Sequence, residues 1–336
     1  MKKRKTARIK KSPNHPTYTN RLTVHGYRYF SLLVFFIFFL ILPGSNYYSN
    51  LQLEFKPPLV RASEMDNFEP APYPKKVFQE STPYLTAQSV IIRDVQSAVP
   101  MFELNTGVQL RPASITKLMT ALIVLDNYNL DQILTVNKLT PAEAQADMGL
   151  MVGDMITVQN LLYGLLIPSG NDAAATLADN FPGGTGNFIS SMNEKAQQLH
   201  MENTHFDNPS GLDNPTHYTT ANDLSLLTME ILKNDFLSGL IKTRSITVTD
   251  VTGERIYKLQ NVNQLLGYTF GVDGVKTGFT DEAGQCLITS VSRSGHRIII
   301  VMLKSQDRFG ESARLVEWVF RNYNWIDLTT GTGVGF

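Results

Sequence analysis

Only one cysteine, Cys286, occurs in the 336 residues. A lone thiol cannot close an intramolecular disulfide, so a disulfide scaffold is excluded, as is a metal site built from several cysteines. Net charge is lacking too: 30 Lys and Arg offset 30 Asp and Glu, and charged residues make up 18% of the chain. That balance hides a bias. Met1 to Arg28 holds nine Lys and Arg and no acid, which leaves 21 bases against 30 acids beyond it, a net of about −9. An acidic body of this kind is a poor partner for nucleic acid, and none is expected. Gly-x-Ser-x-Gly and His-Glu-x-x-His are both missing, so neither a nucleophile elbow nor a zinc-protease helix is written here. No cofactor and no metal is expected. With 43% hydrophobic residues and a mean hydropathy of −0.11, wholesale disorder and a polytopic membrane protein are excluded, and one large core or two smaller ones can be built.

The basic stretch 1–28 is followed by Tyr29 to Leu42, a strongly apolar run stopped by Pro43-Gly44, and no charge falls between Arg28 and Glu54. The run alone has the length of a signal-peptide core. Extended to Tyr48, it becomes 20 uncharged residues with Tyr47 and Tyr48 as interfacial anchors. No small-x-small cleavage site follows promptly, since Pro43 occupies one of the positions and Val60-Arg-Ala62 lies far downstream. The reading favoured is an uncleaved signal-anchor over 29–48, with the cationic tail 1–28 in the cytoplasm and the rest outside the cell membrane. A secreted, cleaved form is the alternative.

Residues 49–85 contain Pro57, Pro58, Pro70, Pro72, Pro74 and Pro83 and show neither helical nor strand period, so a semi-extended linker is expected. A folded domain is expected over 86–325, with 326–336 as a tail. It opens with a hairpin, Ser89 to Val95 and Val99 to Leu104. Helical periods follow over Ser114 to Leu125, Val158 to Ile167, Asn171 to Asn180, Phe188 to His200 and Ala221 to Lys233, the last introduced by Thr220-x-x-Asp223 as a capping box. Strand patterns return at Ile246 to Val251, Arg255 to Leu259, Cys286 to Ser292 and Arg297 to Leu303, and a helix over Glu311 to Tyr323 closes the domain. Strands at both ends with helices between predict an α/β fold of the α+β type: one antiparallel sheet shared by the two ends of the domain, flanked by helices, with an all-helical lobe inserted.

Three short motifs carry the chemistry. Pro112-Ala-Ser114-Ile-Thr-Lys117 places a serine at a helix start with a lysine three residues on, on the same face. Serine needs a base to become a nucleophile, and Lys117 can serve only if its pKa falls by ~3 units, a cost of ~4 kcal/mol that burial or a second cation would supply. The Ser114 backbone N–H at the helix start also points where an oxyanion would form. Ile167-Pro-Ser169-Gly-Asn171 presents a hydroxyl that could relay a proton and an amide that can donate to one carbonyl and accept from one N–H of a peptide. Gly274-Val-Lys276-Thr277-Gly278-Phe279 lies in a strand pattern and offers a fixed charge, a hydroxyl for a carboxylate and room for close approach to the backbone. Each motif has a bland reading: an amphipathic helix, a helix cap, a bulged strand. Ser191-Met-Asn193 repeats the second spacing inside a helical pattern and is read as structural.

Taken together in this order, the three motifs match the Ser-x-x-Lys, Ser-x-Asn and Lys-Thr-Gly set of penicillin-binding proteins and β-lactamases. The chain closely resembles the serine-type D-alanyl-D-alanine carboxypeptidases, the low-molecular-mass penicillin-binding proteins, from about Val90 to about Tyr323. The likeness includes Val152-Gly-Asp-Met-Ile-Thr-Val158, Gly211-Leu-Asp213 and Val272 to Gly284. It implies a β-lactamase/transpeptidase-like fold and acylation of Ser114 by the penultimate D-Ala carbonyl of a peptidoglycan stem peptide ending in D-Ala-D-Ala. It further implies Lys117 as base, Ser169 as proton relay, Asn171 as amide clamp, Lys276 and Thr277 as carboxylate binders, and the N–H groups of Ser114 and Phe279 as oxyanion hole, with Gly278 also among the substrate-binding residues. β-Lactams would be covalent inhibitors, and Arg308 is a candidate second carboxylate binder. Many relatives carry a β-rich domain and an amphipathic helix after the catalytic unit, whereas 58 residues follow Gly278 here; the amino-terminal anchor is expected to replace that tether.

Rivals remain. A class A β-lactamase needs a carboxylate-positioned water, and no Glu-x-x-Leu-Asn segment lies between Asn171 and Lys276; Glu194 is followed by Lys-Ala-Gln. A β-lactam-sensing or wall-binding module would keep the groove without turnover. A Ser-His-Asp hydrolase could draw on His200, His205 or His217, but His217 is read as shaping the loop before the capped helix. Cys286 is read as a small buried strand residue, and Glu143, Asp147 and Asp154 as a solvated face and turn.

Overall fold

Three apolar runs near the end of the chain become the long strands of a central sheet in the computed structural model, which describes residues 30, 32–37, 71–138 and 146–327. Its coordinates divide into two units, Met1–Phe68 and Glu69–Phe336. In the first unit the described residues, Phe30 and 32–37, are helical and exposed. The basic tail and most of the expected anchor lie outside the described residues, and among the described residues no helix is long and apolar enough to cross a membrane.

The second unit is built on β2 (Ser89–Asp94), β3 (Pro100–Leu104), β8 (Val272–Thr280), β9 (Gly284–Arg293) and β10 (His296–Ser305). They form an antiparallel sheet in the order β3-β2-β10-β9-β8, so strands from the two ends of the unit meet where β2 pairs with β10. Side chains alternate between the faces of this sheet. Val90, Ile92, Leu287, Val291, Ile298, Ile300 and Met302 pack on one side with Leu315, Val316 and Val319 of α7 (Arg308–Asn322). Ile91, Cys286, Ile288, Val301 and Leu303 face the other way, into the core of the helical lobe. Both faces are covered, which is why β10 reads as an unbroken apolar run. Cys286 is fully buried, as its place in the pattern predicts.

The lobe between the sheet halves holds α1 (Lys117–Asn127), α2 (Val158–Leu166), α3 (Asn171–Asp179), α4 (Gly184–Gln198), α5 (Ala221–Lys233) and the short α6 (Asp235–Leu240). In α1, Leu118, Met119, Ala121 and Val124 are fully inaccessible; each large aliphatic side chain buried this way contributes ~1.5–3 kcal/mol. Two small two-stranded antiparallel sheets flank the lobe: β4 (Ile133–Thr135) with β5 (Met155–Thr157), and the hairpin of β6 (Ser245–Thr249) with β7 (Ile256–Gln260). At the start of α5, Thr220 Oγ1 accepts from the Asp223 N–H as a cap should, but the Asp223 carboxylate turns away to accept from Asn203 N and Thr204 Oγ1. Half of the expected capping box is thus used to tie down another loop.

Two expectations differ from the structure. Residues 73–76, placed by composition in a linker, form β1 (Tyr73–Lys76), which pairs antiparallel with β11 (Tyr323–Ile326), so the fold includes residues ahead of the expected boundary at 86. Val77 N donates to Asn322 O at 2.8 Å and Trp318 Nε1 to Glu80 O at 3.3 Å, so this segment straps α7. A four-residue strand with one buried side chain, Pro74, has too little pattern to be read. Asp154 is buried instead of solvated: it accepts from the Tyr257 hydroxyl and from Met151 N and pairs with Arg255 at 2.6 Å. Asp147 is exposed, and Glu143 lies outside the described residues.

Candidate active site

Ser114 sits in a single 3₁₀ turn, Ala113–Thr116, that runs directly into α1. The tight turn nearly eclipses side chains three residues apart, which brings Lys117 onto Ser114. Lys117 is completely buried, and its Nζ lies 2.9 Å from Ser114 Oγ, 2.7 Å from Asn171 Oδ1 and 2.9 Å from Ser210 O. The last two partners are acceptors only. A neutral amine has two N–H bonds and one lone pair. In the neutral form, with both N–H bonds given to Asn171 and Ser210, the lone pair would be left for the serine hydroxyl. Burial pulls the Lys117 pKa down to about 7, against the opposing pull of Asp172 and Asp147, which makes the neutral form accessible near pH 7.

The second motif links α2 to α3. Ser169 is buried and holds φ at +72°, a left-handed backbone uncommon for a residue with a side chain; such strain costs ~1–3 kcal/mol and concentrates where a side chain must be aimed. Asn171, at the first position of α3, is also buried. The neighbouring Asp172 carboxylate accepts from the N–H groups of Met148, Gly149 and Leu150, clamping the loop 146–150 against this corner.

Across the cleft, Lys276 on the edge strand β8 is 2% exposed and donates to Ser169 Oγ at 2.8 Å and to Thr277 O at 3.1 Å. Burial, with Lys117 and Arg308 as like charges nearby, holds its pKa well below the ordinary lysine value. Arg308 Nη1 donates to Gly278 O at 2.6 Å, which sets a second cation beside the strand. Gly278 is packed on the serine turn: a Cβ there would stand 2.9 Å from Pro112 O and 3.1 Å from Ser114 N. Close packing of β8 on this turn brings the Ser114 backbone N–H and the Gly278-Phe279 backbone together. The Phe279 side chain points outward, half exposed.

A profile of the D-alanyl-D-alanine carboxypeptidases matches residues 76–307. The chain belongs to the D-alanyl-D-alanine carboxypeptidase family. It is 32% identical over 245 residues to D-alanyl-D-alanine carboxypeptidase DacF of Bacillus subtilis, covering 70% of this chain and 63% of that relative's length. It is 38% identical over 208 residues to a D-alanyl-D-alanine carboxypeptidase of Streptomyces strain K15, 57% of this chain and 72% of the relative. Among solved structures, the DD-transpeptidase of that Streptomyces strain superposes with a TM-score of 0.68 at 31% identity, over 72% of this chain and all of the other. Penicillin-binding protein D2 of Listeria monocytogenes, solved with ampicillin bound, gives 0.63 at 32% identity over 71% of this chain and all of the other. The expected β-lactamase/transpeptidase-like fold agrees with these neighbours.

Ser114, Lys117, Ser169, Asn171 and Lys276, spread over more than half of the folded unit, form two hydrogen-bonded sets, Ser114–Lys117–Asn171 and Ser169–Lys276, with Thr277 and Gly278 alongside; the two lysines are near enough for the Lys117 charge to lower the Lys276 pKa. Ser191 and Asn193 are elsewhere, Asn193 being spent on both backbone groups of Phe206. His217 is buried, its Nε2 2.9 Å from Thr116 Oγ1 and its Nδ1 accepting from Asp207 N, while burial lowers its pKa to about 4. It props the serine turn from behind. Two contributors escaped the sequence reading: the Ser210 carbonyl, invisible because every residue has one, and Asp172, whose partners are backbone amides. Asn208-Pro-Ser-Gly211 was the available signal for the first, as a turn; Asn208 Oδ1 accepts from the Ser210, Gly211 and Leu212 amides.

Proposed function

We propose that the chain is a serine-type D-Ala-D-Ala carboxypeptidase that trims the terminal D-Ala from peptidoglycan stem pentapeptides, limiting cross-linking during cell wall biogenesis. The observation that carries this reading is the fully buried Lys117 amine, whose Nζ lies 2.9 Å from Ser114 Oγ and is held by two further acceptors, Asn171 Oδ1 and Ser210 O. In the reaction, Lys117 takes the Ser114 proton as Oγ attacks the penultimate D-Ala carbonyl. The oxyanion accepts from the backbone N–H groups of Ser114 and Phe279, each such donor contributing ~3 kcal/mol to the transition state. Ser169, bonded to Lys276, relays the proton that Lys117 has taken to the departing D-Ala nitrogen, which leaves Lys117 neutral for the second step. The resulting Ser114 ester is then hydrolysed by water activated in the same way, returning the proton to the serine. Asn171 holds the stem-peptide amide. Lys276, Thr277 and Arg308 receive the terminal carboxylate, for which the like-charged and dehydrated Lys276 site is pre-set.

A β-lactam mimics the same peptide and would acylate Ser114; the ampicillin-bound neighbour supports this. The apolar run 29–48 after a cationic tail supports an anchor that leaves residues 86–325 on the side of the membrane where peptidoglycan lies. The test is two assays on one pair of proteins: labelling by a fluorescent penicillin and release of D-Ala from a stem-pentapeptide analogue, in wild type and Ser114→Ala. Wild type is expected to do both and the variant neither. Labelling without D-Ala release would instead indicate a sensor, and rapid turnover of the penicillin a β-lactamase.

A further inference from the structure

A groove of about 830 Å³ lies apart from the residues of the serine cleft, between the β6–β7 hairpin and the segment leading to β8. That size is typical of a site for a sizeable organic ligand. Its lining includes Arg244, Gln260, Asn261, Asn263, Gln264 and Tyr268, and no acid is among the lining residues. Four amide side chains converge there with a phenol ring that is 81% exposed. Gln260 and Gln264 are exposed, Asn261 is half-buried and Asn263 is buried behind them; exposed amides next to an exposed ring suit a ligand with a flat apolar face on one side and a fringe of hydroxyls and acetamides on the other.

The walls are built rather than incidental. The Arg244 guanidinium lies 5.6 Å over the Tyr268 ring, a cation–π contact on one face of it. Asn261 Nδ2 donates to Thr243 O at 3.0 Å and its Oδ1 accepts from Asn263 N at 2.9 Å, so the loop is braced by its own side chains. Asn263 Oδ1 accepts from Leu265 N, whereas its Nδ2 is buried and has no partner. Leaving such a donor unmade costs ~1–3 kcal/mol. The same loop reaches the serine cleft: Val262 N donates to Ile167 O at 3.4 Å, two residues before Ser169.

We propose that this groove is a saccharide site taking an oligomer of N-acetylated amino sugars, with Tyr268 as stacking platform and the exposed amides of Gln260 and Gln264 as partners for hydroxyl and acetamido groups. It would hold the enzyme on the glycan of the wall independently of the stem peptide. Binding does not require the peptidase reading, since the ligand is a sugar and the residues lie outside the catalytic set.

The test uses the full chain in detergent, titrated by calorimetry with the chitin tetrasaccharide, a neutral oligomer of N-acetylglucosamine. Saturable binding is expected, weakened about tenfold or more by Tyr268→Ala, kept by Tyr268→Phe, and weakened by Gln264→Ala. Penicillin labelling of Ser114 is expected to be unchanged in all three variants, which shows that they fold. The proposal is overturned if wild type shows no saturable binding up to millimolar sugar, or if Tyr268→Ala binds as wild type does. It is overturned in favour of an anion site at Arg244 if inorganic phosphate displaces the sugar completely.

Discussion

Lys276 and Ser169 lie 107 residues apart in the chain and share a buried hydrogen bond of 2.8 Å. The contact joins the edge strand of the sheet to the corner between two helices of the lobe, so it closes the cleft floor while leaving the Ser169 hydroxyl held at one end only. A hydroxyl held this way keeps its own proton free to donate. Its proposed role is delivery to the leaving amine, and general acid assistance of this kind contributes ~10²–10⁴-fold. Ser169→Ala is therefore expected to lower the peptide acylation rate by about that factor with a much smaller change in KM. A variant that lost binding and kept its rate would assign Ser169 to substrate holding instead; stopped-flow acylation separates the two.

The Lys117 amine, with its pKa lowered to about 7 by burial, acts as base only when neutral. Acylation of Ser114 is expected to rise with pH through a limb centred near about 7 and to level off above it. Lys117→Arg, which stays protonated, is expected to be inactive at every pH tested. A wild-type limb near the ordinary lysine value would contradict the buried, neutral base.

The same shift has a sign in stability. Unfolded, Lys117 binds its proton up to the ordinary value of 10.5; folded, it lets go near about 7. The burial penalty is thus absent above 10.5, grows by ~1.4 kcal/mol per pH unit as pH falls, and is fully present below about 7. Replacing the lysine by methionine removes this dependence. Wild type is expected to gain unfolding free energy relative to Lys117→Met as pH rises from about 7 towards 10, measured by denaturant unfolding at a series of pH values. A parallel pair of curves would mean that Lys117 is charged in the fold.

Much of this was legible because its signals are local. The continuous β-rich apolar runs of β2, β9 and β10 and the apolar periods of α2 and α5 are properties of short windows, and so is Thr220 as a cap. Residue identities in the three motifs announce the chemistry in the same way. What stayed hidden depends on partners far along the chain. β1 needs β11, some 250 residues on, to be a strand at all. Asp154 looks like a turn acid until Arg255 and Tyr257 arrive to neutralise and bury it. The Ser210 carbonyl and the amides that grip Asp172 carry no side-chain identity, so no motif could have named them. The 3₁₀ geometry before α1 is equally silent in sequence, yet it is what brings Lys117 onto Ser114.

Asp172 makes its own prediction. Its carboxylate accepts three backbone N–H bonds from Met148, Gly149 and Leu150, and the residue before it carries the amide that fixes Lys117. Asp172→Asn turns one acceptor oxygen into a donor aimed at N–H groups. Charge-assisted bonds contribute ~1.5–3 kcal/mol each, and breaking the set is expected to cost ~2–4 kcal/mol of stability. The expected readout is a lower unfolding free energy together with protease cleavage in 146–150 ahead of global unfolding. An unchanged cleavage pattern would show that the loop is held by other contacts.

Gly278→Ala is the sharpest probe of the packing between strand and serine turn. The added methyl would meet Pro112 O, Ala113 Cβ and Ser114 N at 2.9, 3.0 and 3.1 Å, and the first and last of these are backbone atoms that no rotamer change can move. Overpacking of this kind costs ~1–3 kcal/mol and is relieved by backbone shift. The shift required moves the Ser114 N–H away from β8, which opens the pair of donors proposed to hold the oxyanion. Losing one such donor is expected to slow acylation ~10²–10³-fold, far more than the small loss in unfolding free energy would suggest. Lys117 sits on the other side of the turn, so the pH limb near about 7 is expected to stay in place. A variant with the limb displaced would mean that the turn, and not the donor pair, had been rebuilt; unchanged acylation with unchanged stability would mean that β8 does not press on Ser114 in solution.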